Sequence, residues 1–159
     1  MSDTVFAAPR RARPDELALV ARLTEAAYAE YLPVLGGPPV PVTDDHAARI
    51  AAGEIWLAER DGEVAGLIVL EPHADHLAVF SIAIAPGHQG KGLGQALLGF
   101  ADGMARAAGL AILRLYTNAR MTRNIAIYTR FGYRETGRRE NPQRPGWVIV
   151  DMEKTLAGV

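Results

Sequence analysis

Cysteine is absent from the 159 residues of this chain. The absence excludes disulfide bonds, a thiolate nucleophile and cysteine ligands for a metal. No run of about 18 apolar residues occurs, so we expect no transmembrane helix and no membrane partner. Residues 1–6 also lack the basic and apolar regions of a signal peptide. From these absences together we expect a cytoplasmic location.

Net charge is also small, because 17 basic residues are balanced by 18 acidic ones. A balance of −1 argues against a general nucleic-acid partner. The charge is uneven, however, since the eight arginines from Arg114 to Arg144 are accompanied only by Glu135 and Glu140. This stretch is either a solvated basic face or a positive surface that attracts phosphate groups.

The composition is that of an ordinary globular protein, with 49% apolar and 22% charged residues. The length is typical of one domain, so we expect residues 1–159 to form a single domain.

The N-terminal third predicts a short strand over residues 10–13 and then a helix that begins near Pro14, because proline suits the first helical turn. Residues 33–41 contain four prolines and predict a loop. Thr43 is expected to cap a short helix over residues 44–52. The inner face of the first helix is predicted to hold Leu17, Val20, Thr24, Ala27, Tyr28 and Tyr31.

The rest of the chain predicts a mixed α/β fold. Strands over residues 54–60 and 63–70 are joined by Asp61-Gly62, a strong hairpin signal. Residues 76–85 are almost continuously apolar and predict a strand buried on both faces. Further elements are predicted over residues 93–108 (a helix with Leu93, Leu97, Phe100 and Met104 inside, ended by Gly109), 111–117 (strand), 123–131 (a helix ended by Gly132), 133–139 and 147–154 (strands). The strand–helix–strand unit within residues 76–117 requires parallel pairing, whereas the hairpins require antiparallel pairing.

Residues 89–94, here called the glycine loop, read Gln-Gly-Lys-Gly-Leu-Gly and join a predicted strand to a predicted helix. Glycines at alternate positions let backbone N–H groups turn inward, and the helix start adds further unpaired N–H groups. Together they predict a cradle for a phosphate. A strand-to-helix turn that uses glycine only for tight packing is the alternative.

Spacing excludes two common phosphate loops. A Walker A loop needs Ser or Thr after its lysine, but Lys91 is followed by Gly92. The dinucleotide fingerprint needs a third glycine where this chain has Gln95 or Leu97.

The pattern that fits is Q-x-x-G-x-G, formed by Gln89, Gly92 and Gly94. In this respect the glycine loop resembles the acetyl-CoA loop of the GCN5-related N-acetyltransferase (GNAT) family. The run of residues 118–133 also resembles the one that follows the fifth strand in that family, with aligned positions at Asn124, Tyr128, Arg130, Gly132 and Tyr133.

The resemblance covers residues 54–154 and implies the GNAT fold. That fold is a mixed, mostly antiparallel sheet of about seven strands with helices on both faces, splayed between the fourth and fifth strands. It also implies acetyl-CoA as cofactor. We expect no metal. The implied cofactor site consists of Ile82, Ala83, Ile84, Gln89, Gly90, Lys91, Gly92, Leu93, Gly94, Asn118, Asn124, Tyr128 and Arg130.

Tyr128 is implied to be the general acid that protonates the departing CoA thiolate, a role that suits a phenol. Asn124 lies four residues earlier and shares its helical face. The alternatives are a core aromatic for Tyr128 and a helix-capping amide for Asn124. Lys91 either attracts a phosphate or is a solvated loop residue.

The acceptor side is less defined, because in the family the first two helices and their link form it. We expect Tyr28, Tyr31, Glu71 and Ser81 to be near the acceptor, and Asp44, Asp45, Arg144 and Trp147 are further candidates. The candidates for a base are Glu71, His73, Asp75, His76 and Ser81, none of which the sequence singles out.

The sequence therefore predicts an acetyl-CoA-dependent N-acetyltransferase that acts on a primary amine of a small molecule or peptide. Direct attack in a ternary complex is expected, because no cysteine can carry the acyl group. The alternatives are a non-catalytic module that senses acyl-CoA and an aminoacyl-tRNA acetyltransferase. A homodimer is common in the family and is possible here.

Overall fold

The computed structural model describes residues 6–159, and residues 1–5, which bear on the signal-peptide interpretation, lie outside the described residues. Within residues 6–159 the chain forms seven β-strands and six α-helices. The strands are β1 (Arg10–Arg11), β2 (Ile55–Arg60), β3 (Glu63–Pro72), β4 (Leu77–Ile84), β5 (Ile112–Asn118), β6 (Arg134–Glu140) and β7 (Val148–Thr155). The helices are α1 (Leu17–Tyr28), α2 (Leu32–Leu35), α3 (Val40–Thr43), α4 (His46–Ala51), α5 (Leu93–Ala107) and α6 (Thr122–Arg130).

The strands form one mixed sheet in the order β1-β2-β3-β4-β5-β7-β6. The pairs β1–β2, β2–β3, β5–β7 and β6–β7 are antiparallel. The parallel ladder between β4 and β5 runs from Leu77 opposite Leu113 to Val79 opposite Leu115. The predicted fold class and parallel pair are thereby confirmed, while the opening of the sheet beyond this ladder stays a prediction.

The chain divides into two compact units. The first holds the residues up to Leu70 together with Phe80–Phe100, and the second holds Glu71–Val79 and Ala101–Val159. The boundaries fall inside β4 and α5, so neither unit is a separate stretch of sequence. The single domain expected from the sequence stays a prediction.

The first unit contains the β2–β3 hairpin, whose turn was correctly predicted. Asp61 and Gly62 have φ values of 54° and 77°. Positive φ at both central residues belongs to the type I′ turn, which matches the twist of the strands on either side. Leu57, Leu67 and Ile68 are fully buried in these strands.

The inner face of α1 differs from the prediction at both ends, since Tyr31 is half-buried in the 3₁₀ turn Ala29–Tyr31 that follows the helix. Leu17 is 40% exposed, whereas Val20, Thr24 and Tyr28 are buried as expected. A 3₁₀ turn, Pro14–Glu16, precedes α1, and Glu16 occupies the buried position instead. The apolar character of Leu17, at the first position of α1, therefore gave a wrong prediction of burial.

The loop predicted over residues 33–41 is confirmed only for residues 36–39 and was wrong at both ends. Two single-turn helices, α2 and α3, occupy those ends, and each has a proline in its first turn. Proline is tolerated there because the N–H of that position has no helical acceptor. Gly36, at φ 76°, ends α2 in the left-handed conformation.

The cap of α4 is also corrected. Asp45 rather than Thr43 caps the helix, because its Oδ1 accepts a hydrogen bond from the Ala48 N–H at 3.0 Å. The Thr43 hydroxyl instead donates to the Val40 carbonyl at 3.3 Å.

Burial along β4 and α5 differs from the pattern predicted. The residues of β4 alternate between buried and half-buried, so only one face is fully covered. On α5 the buried residues include Leu98, Ala101 and Ala105, while Phe100 and Met104 are half-buried. Leu93 and Leu97 are buried as predicted, at 1% and 0% exposure.

The second unit packs β5 and β7 through Leu113, Val150 and Met152, all of which are buried. Gly132, at φ 101°, ends α6 as predicted. Every residue of β6 is exposed. Among residues 6–159, no helix has both the length and the apolar character needed to cross a membrane.

Candidate active site

The glycine loop follows β4 in the first unit and leads directly into α5. Gly90 and Gly92 have φ values of 74° and 86°, which place both in the left-handed region. An added Cβ at Gly90 would meet no atom within 4 Å, and at Gly92 only Gln95 Oε1 at 3.9 Å. Backbone conformation, rather than lack of room, is therefore what favours glycine at these two positions.

Gly94 differs from the other two glycines. It lies in the first turn of α5 without a positive φ, and a Cβ there would also meet nothing within 4 Å. Neither conformation nor protein packing requires glycine at this position. Nothing in the described residues therefore accounts for glycine at this position.

The backbone N–H groups of the glycine loop are available to a ligand. Across residues 6–159, no backbone acceptor is recorded for the N–H groups of residues 90–94, and the first bond of α5 runs from Ala96 N–H to Gly92 O at 3.1 Å. Gln89, Gly90, Lys91 and Gly92 are exposed. The N–H groups of the exposed Gly90, Lys91 and Gly92, together with those of Leu93 and Gly94 at the N-terminus of a 15-residue helix, can hold an anion such as a phosphate.

Gln89 contributes to the shape of the loop. Its side-chain Nε2 donates to the Ile84 carbonyl at 3.2 Å, and its backbone N–H lies 3.5 Å from the Pro86 carbonyl. Both groups thus have protein partners, so the side chain links the loop to the end of β4.

Leu93 anchors the loop on β3 through a contact that the sequence analysis missed. Leu93 is 1% exposed, and a Cβ added at Gly66 would lie 2.8 Å from its Cδ2 and 3.0 Å from the Ala83 carbonyl oxygen. Gly66 therefore makes room for Leu93 under the loop. An isolated glycine inside a strand pattern signals such a close approach, and this was the available sequence clue.

The start of the loop has a second link to β3. His88 Nε2 lies 3.3 Å from Glu63 Oε2, and its Nδ1 is a buried nitrogen that lacks a hydrogen-bond partner among the described residues. His88 was not among the predicted site residues either. Glu63 and Gly66 lie three residues apart on β3. Glu63 contacts His88, just before the glycine loop, and Gly66 makes room for Leu93 near the end of the loop.

Ile82, Ala83 and Ile84 form the end of β4, and two of their carbonyls already accept hydrogen bonds. The Tyr28 hydroxyl donates to the Ile82 carbonyl at 3.0 Å, and Gln89 binds that of Ile84. A carbonyl oxygen has two lone pairs, so each can accept a second bond. Ser81 is buried on the neighbouring β4 position.

Tyr128 and Asn124 lie on α6 in the second unit, and both are half-buried. The ring of Tyr128 packs edge-on against that of Tyr133 with 6.1 Å between centroids. Tyr133 is buried, and the burial raises the pKa of its hydroxyl well above the ordinary value. The fixed Tyr133 ring supports the position of Tyr128.

Asn118 and Arg130 flank these residues. Asn118 Oδ1 accepts a hydrogen bond from the Arg120 N–H at 2.8 Å, and its carbonyl accepts one from Met121. Its side chain therefore shapes the turn that leads into α6. Arg130 is exposed in the last turn of α6.

The turn between β3 and β4 brings four of the five candidate bases together in the second unit, while Ser81 lies on β4 in the first unit. Glu71 Oε1 lies 2.7 Å from His73 Nε2, and Asp75 Oδ1 lies 2.7 Å from His76 Nδ1. The two imidazole rings stack with centroids 4.4 Å apart. Hydrogen bonding to His76 lowers the pKa of the Asp75 carboxyl. Among the described residues, no group of three metal-ligating side chains occurs.

The remaining acceptor candidates are spread over both units. Tyr31 lies one turn after Tyr28, with 6.3 Å between their ring centroids. Asp44 binds Arg49 at 2.8 Å in the first unit. In the second unit the Arg144 guanidinium lies 4.5 Å from the centroid of the Trp147 ring.

Arginines of the basic stretch form ion pairs with acids of the second unit. Arg114 binds Glu153 at 3.0 Å, Arg138 binds Glu135 at 2.6 Å, and Arg139 binds Asp151 at 2.9 Å. The positive charge of these side chains is thus partly neutralised within the second unit, which weakens the case for a broad phosphate-attracting face.

The structure therefore collects the predicted site residues in two groups. The first unit holds Tyr28, Tyr31, Ser81, Ile82, Ala83, Ile84, Gln89, Gly90, Lys91, Gly92, Leu93 and Gly94, and the second holds Glu71, Asn118, Asn124, Tyr128 and Arg130. Their roles stay predictions.

Comparison with known proteins identifies the class. The pattern of the Acetyltransferase (GNAT) family matches residues 20–133, which is more than half of the chain. The chain therefore belongs to the acetyltransferase (GNAT) family.

Among curated relatives, the chain is similar to a mycothiol acetyltransferase of Nocardia farcinica (strain IFM 10152), with 38% identity over 112 residues. The match covers 64% of this chain and 36% of that relative. The chain thus spans about a third of the length of this relative.

Two solved structures show the same fold. The ribosomal-protein-S18-alanine N-acetyltransferase from Escherichia coli matches with a TM-score of 0.78 and 22% identity over 98% of this chain and 96% of that one. Arabidopsis thaliana Naa50, in complex with the bisubstrate analogue CoA-Ac-MVNAL, matches with a TM-score of 0.72 and 21% identity over 94% and 98%.

Proposed function

We propose that this chain transfers the acetyl group of acetyl-CoA to a primary amine by direct attack in a ternary complex. The observation that carries the proposal is the glycine loop, whose N–H groups at residues 90–94 have no backbone acceptor within the part of the chain that the structure describes. Membership of the GNAT family and the CoA-containing analogue bound to Arabidopsis Naa50 support acetyl-CoA as the donor.

The glycine loop has the chemistry to hold the pyrophosphate of this donor. Its N–H groups and the positive end of the α5 dipole favour an anion. The residues of β4 from Ile82 to Ile84 supply backbone groups for the pantetheine amides, as an added strand would use them. Lys91 is exposed beside the loop and adds positive charge.

The chemical step needs one proton moved to sulfur. The amine nitrogen forms a bond to the acetyl carbon, the carbon–sulfur bond breaks, and the sulfur departs with its electron pair. Tyr128 donates its hydroxyl proton to that sulfur and regains a proton from solvent, which receives the one lost by the amine. The absence of cysteine means that no thiol of the chain carries the acetyl group.

Kinetics and one substitution test this proposal. With acetyl-CoA and an acceptor amine varied together, intersecting double-reciprocal lines are expected, and parallel lines would contradict direct attack. Tyr128→Phe should lower kcat about 100-fold, in the range of general acid catalysis, while the Kd for acetyl-CoA changes little. Tyr116→Phe is the matched control, since Tyr116 is an exposed tyrosine at 38% exposure.

Two other results would favour a different function for this chain. Tight acetyl-CoA binding without turnover of any amine would indicate an acyl-CoA sensor. Salt-dependent binding of aminoacyl-tRNA would favour that class of acceptor, although the ion pairs of Arg114, Arg138 and Arg139 argue against it.

A further inference from the structure

The segment that follows α1 is uncharged over a long stretch. Residues 31–43 contain no Asp, Glu, Lys, Arg or His. Leu32 is 41% exposed and Val34 is 50% exposed within this segment. Such side chains present an apolar surface to whatever approaches them.

This segment begins next to the strand assigned to the acetyl donor. The Tyr28 hydroxyl bonds to the Ile82 carbonyl at 3.0 Å, so the end of α1 is fixed to β4. The backbone stays helical through the 3₁₀ turn Ala29–Tyr31, and the Leu32 N–H donates to the Ala29 carbonyl. Leu32 therefore lies about one helical turn beyond Tyr28.

The acids that follow the segment already have partners. Asp44 Oδ2 binds Arg49 Nε at 2.8 Å, and Arg49 also binds Glu54. Asp45 Oδ1 caps α4 through the Ala48 N–H. These carboxylates serve local structure, so they are poor candidates for attracting a cationic acceptor. Glu30, the last acid before the segment, is exposed.

We propose that the acceptor is a primary amine with an uncharged apolar body, and that Leu32 and Val34 contact that body. The inference rests on the proposed function, because it places the acceptor beside the β4 strand that holds the donor. Residues 31–43 offer no carboxylate to a polycationic amine, whereas an apolar body would bury surface against Leu32 and Val34.

A panel of three amines tests the substrate class. Phenethylamine carries an apolar body, 2-methoxyethylamine a small polar one, and spermidine two further charges. The expected kcat/KM for phenethylamine is at least about 10-fold higher than for 2-methoxyethylamine, since apolar groups of this size give discrimination of that order. A preference for 2-methoxyethylamine or spermidine overturns the inference.

Matched substitutions test the role of Leu32. Leu32→Asn should lower kcat/KM for phenethylamine about 5- to 10-fold and that for 2-methoxyethylamine less than about 2-fold. Leu17→Asn is the control, because Leu17 is exposed to nearly the same extent, 40% against 41%, at the opposite end of α1. Equal effects of the two substitutions on phenethylamine overturn the assignment.

Binding measurements separate this inference from the proposed function. Failure of acetyl-CoA to bind in calorimetry contradicts the proposed function. Binding of each amine to the chain, with and without CoA, is measured by saturation-transfer NMR. Phenethylamine signals that weaken in Leu32→Asn but not in Leu17→Asn support the inference even without turnover. Absence of phenethylamine binding overturns it.

Discussion

At the scale of single residues, the three glycines of the loop have different physical reasons to be glycine. Gly90 and Gly92 adopt positive φ, which other residues reach only with strain. Gly94 is helical and has open space around its Cα. Backbone conformation therefore accounts for the first two glycines but not for Gly94.

Gly94→Ala is expected to separate ligand binding from stability. Alanine favours a helix over glycine by up to about 1 kcal/mol, so the free energy of unfolding should stay equal or rise. The added methyl group should nevertheless weaken acetyl-CoA binding at least about 10-fold, measured by calorimetry, because it enters the space of the bound phosphates. Gly99→Ala on the same helix, also with no atom within 4 Å, is the control. Unchanged affinity in Gly94→Ala would contradict this use of the loop.

Gly66→Ala is expected to act through Leu93. The new Cβ would lie 2.8 Å from Leu93 Cδ2 and 3.0 Å from a backbone oxygen, so Leu93 and the start of α5 must shift. Overpacking of this kind costs about 1–3 kcal/mol of stability, and the Kd for acetyl-CoA should rise with it. Gly103→Ala, which has room for its methyl group, is the control. It should neither lower the free energy of unfolding, measured with urea, nor raise the Kd for acetyl-CoA, measured by calorimetry. A Gly66→Ala protein with native affinity would show that Leu93 does not position the loop.

At the scale of elements, the sequence predicted turns and helix ends best where a residue type favours one local conformation. Asp61-Gly62 gave the hairpin, and Gly109 and Gly132 ended α5 and α6 with φ values of 72° and 101°. Proline was less reliable, because Pro33 and Pro41 occupy first helical turns instead of breaking helices. Its effect depends on where the helix begins, which the sequence does not state.

Burial and close contacts escaped the sequence analysis for a different reason. The apolar run of β4 suggested two covered faces, but the covering of a face depends on residues distant in the sequence. Gly66 and His88 were missed because their contacts, Leu93 and Glu63, are more than 20 positions away. Local patterns carry no information about such distant pairs. The glycine loop was therefore predicted, whereas the contacts of Gly66 and His88 that hold it against β3 were not.

The ion pair between Arg10 and Glu16, just before α1, should make the stability of the fold sensitive to acid. Arg10 donates two hydrogen bonds to Glu16, at 2.8 and 2.9 Å, and also binds Glu59. The bond from Arg10 is the main cause that lowers the pKa of the Glu16 carboxyl from 4.5 to about 2. Because this pKa is lower in the folded chain, protonation favours unfolding. The stabilisation is full above the unfolded value and is lost as the pH falls from 4.5 towards 2.

Glu16→Gln should therefore cost about 2 kcal/mol of unfolding free energy at pH 7, the scale of hydrogen bonds to a charged group. Urea titrations at pH 7, 4 and 3 should show the gap between the two proteins narrowing as the pH falls. Glu25→Gln, at an exposed acid on α1, is the control with little expected change. A gap that stays constant down to pH 3 would show that the Glu16 carboxylate is not the source of the stability.

At the scale of the whole molecule, the two compact units share elements of secondary structure. The boundaries between them fall inside β4, after Val79, and inside α5, after Phe100. If one unit unfolded alone, β4 and α5 would each have to break in the middle and lose backbone hydrogen bonds there. We therefore expect the chain to unfold as one domain, in a single cooperative transition.

The chain has two tryptophans, and each unit holds one, so the single transition can be tested directly. Trp147→Phe leaves Trp56 as the reporter of the first unit, and Trp56→Phe leaves Trp147 for the second. The fluorescence transition of each variant should coincide with its own far-UV circular dichroism transition. Acetyl-CoA at 100 times its Kd should add about 2.7 kcal/mol and raise both midpoints together by roughly 5–10 °C. Pantetheine, which lacks the phosphates, should give a much smaller shift. If only the Trp56 signal moved with acetyl-CoA, the units would be separate domains and the donor would bind to the first alone.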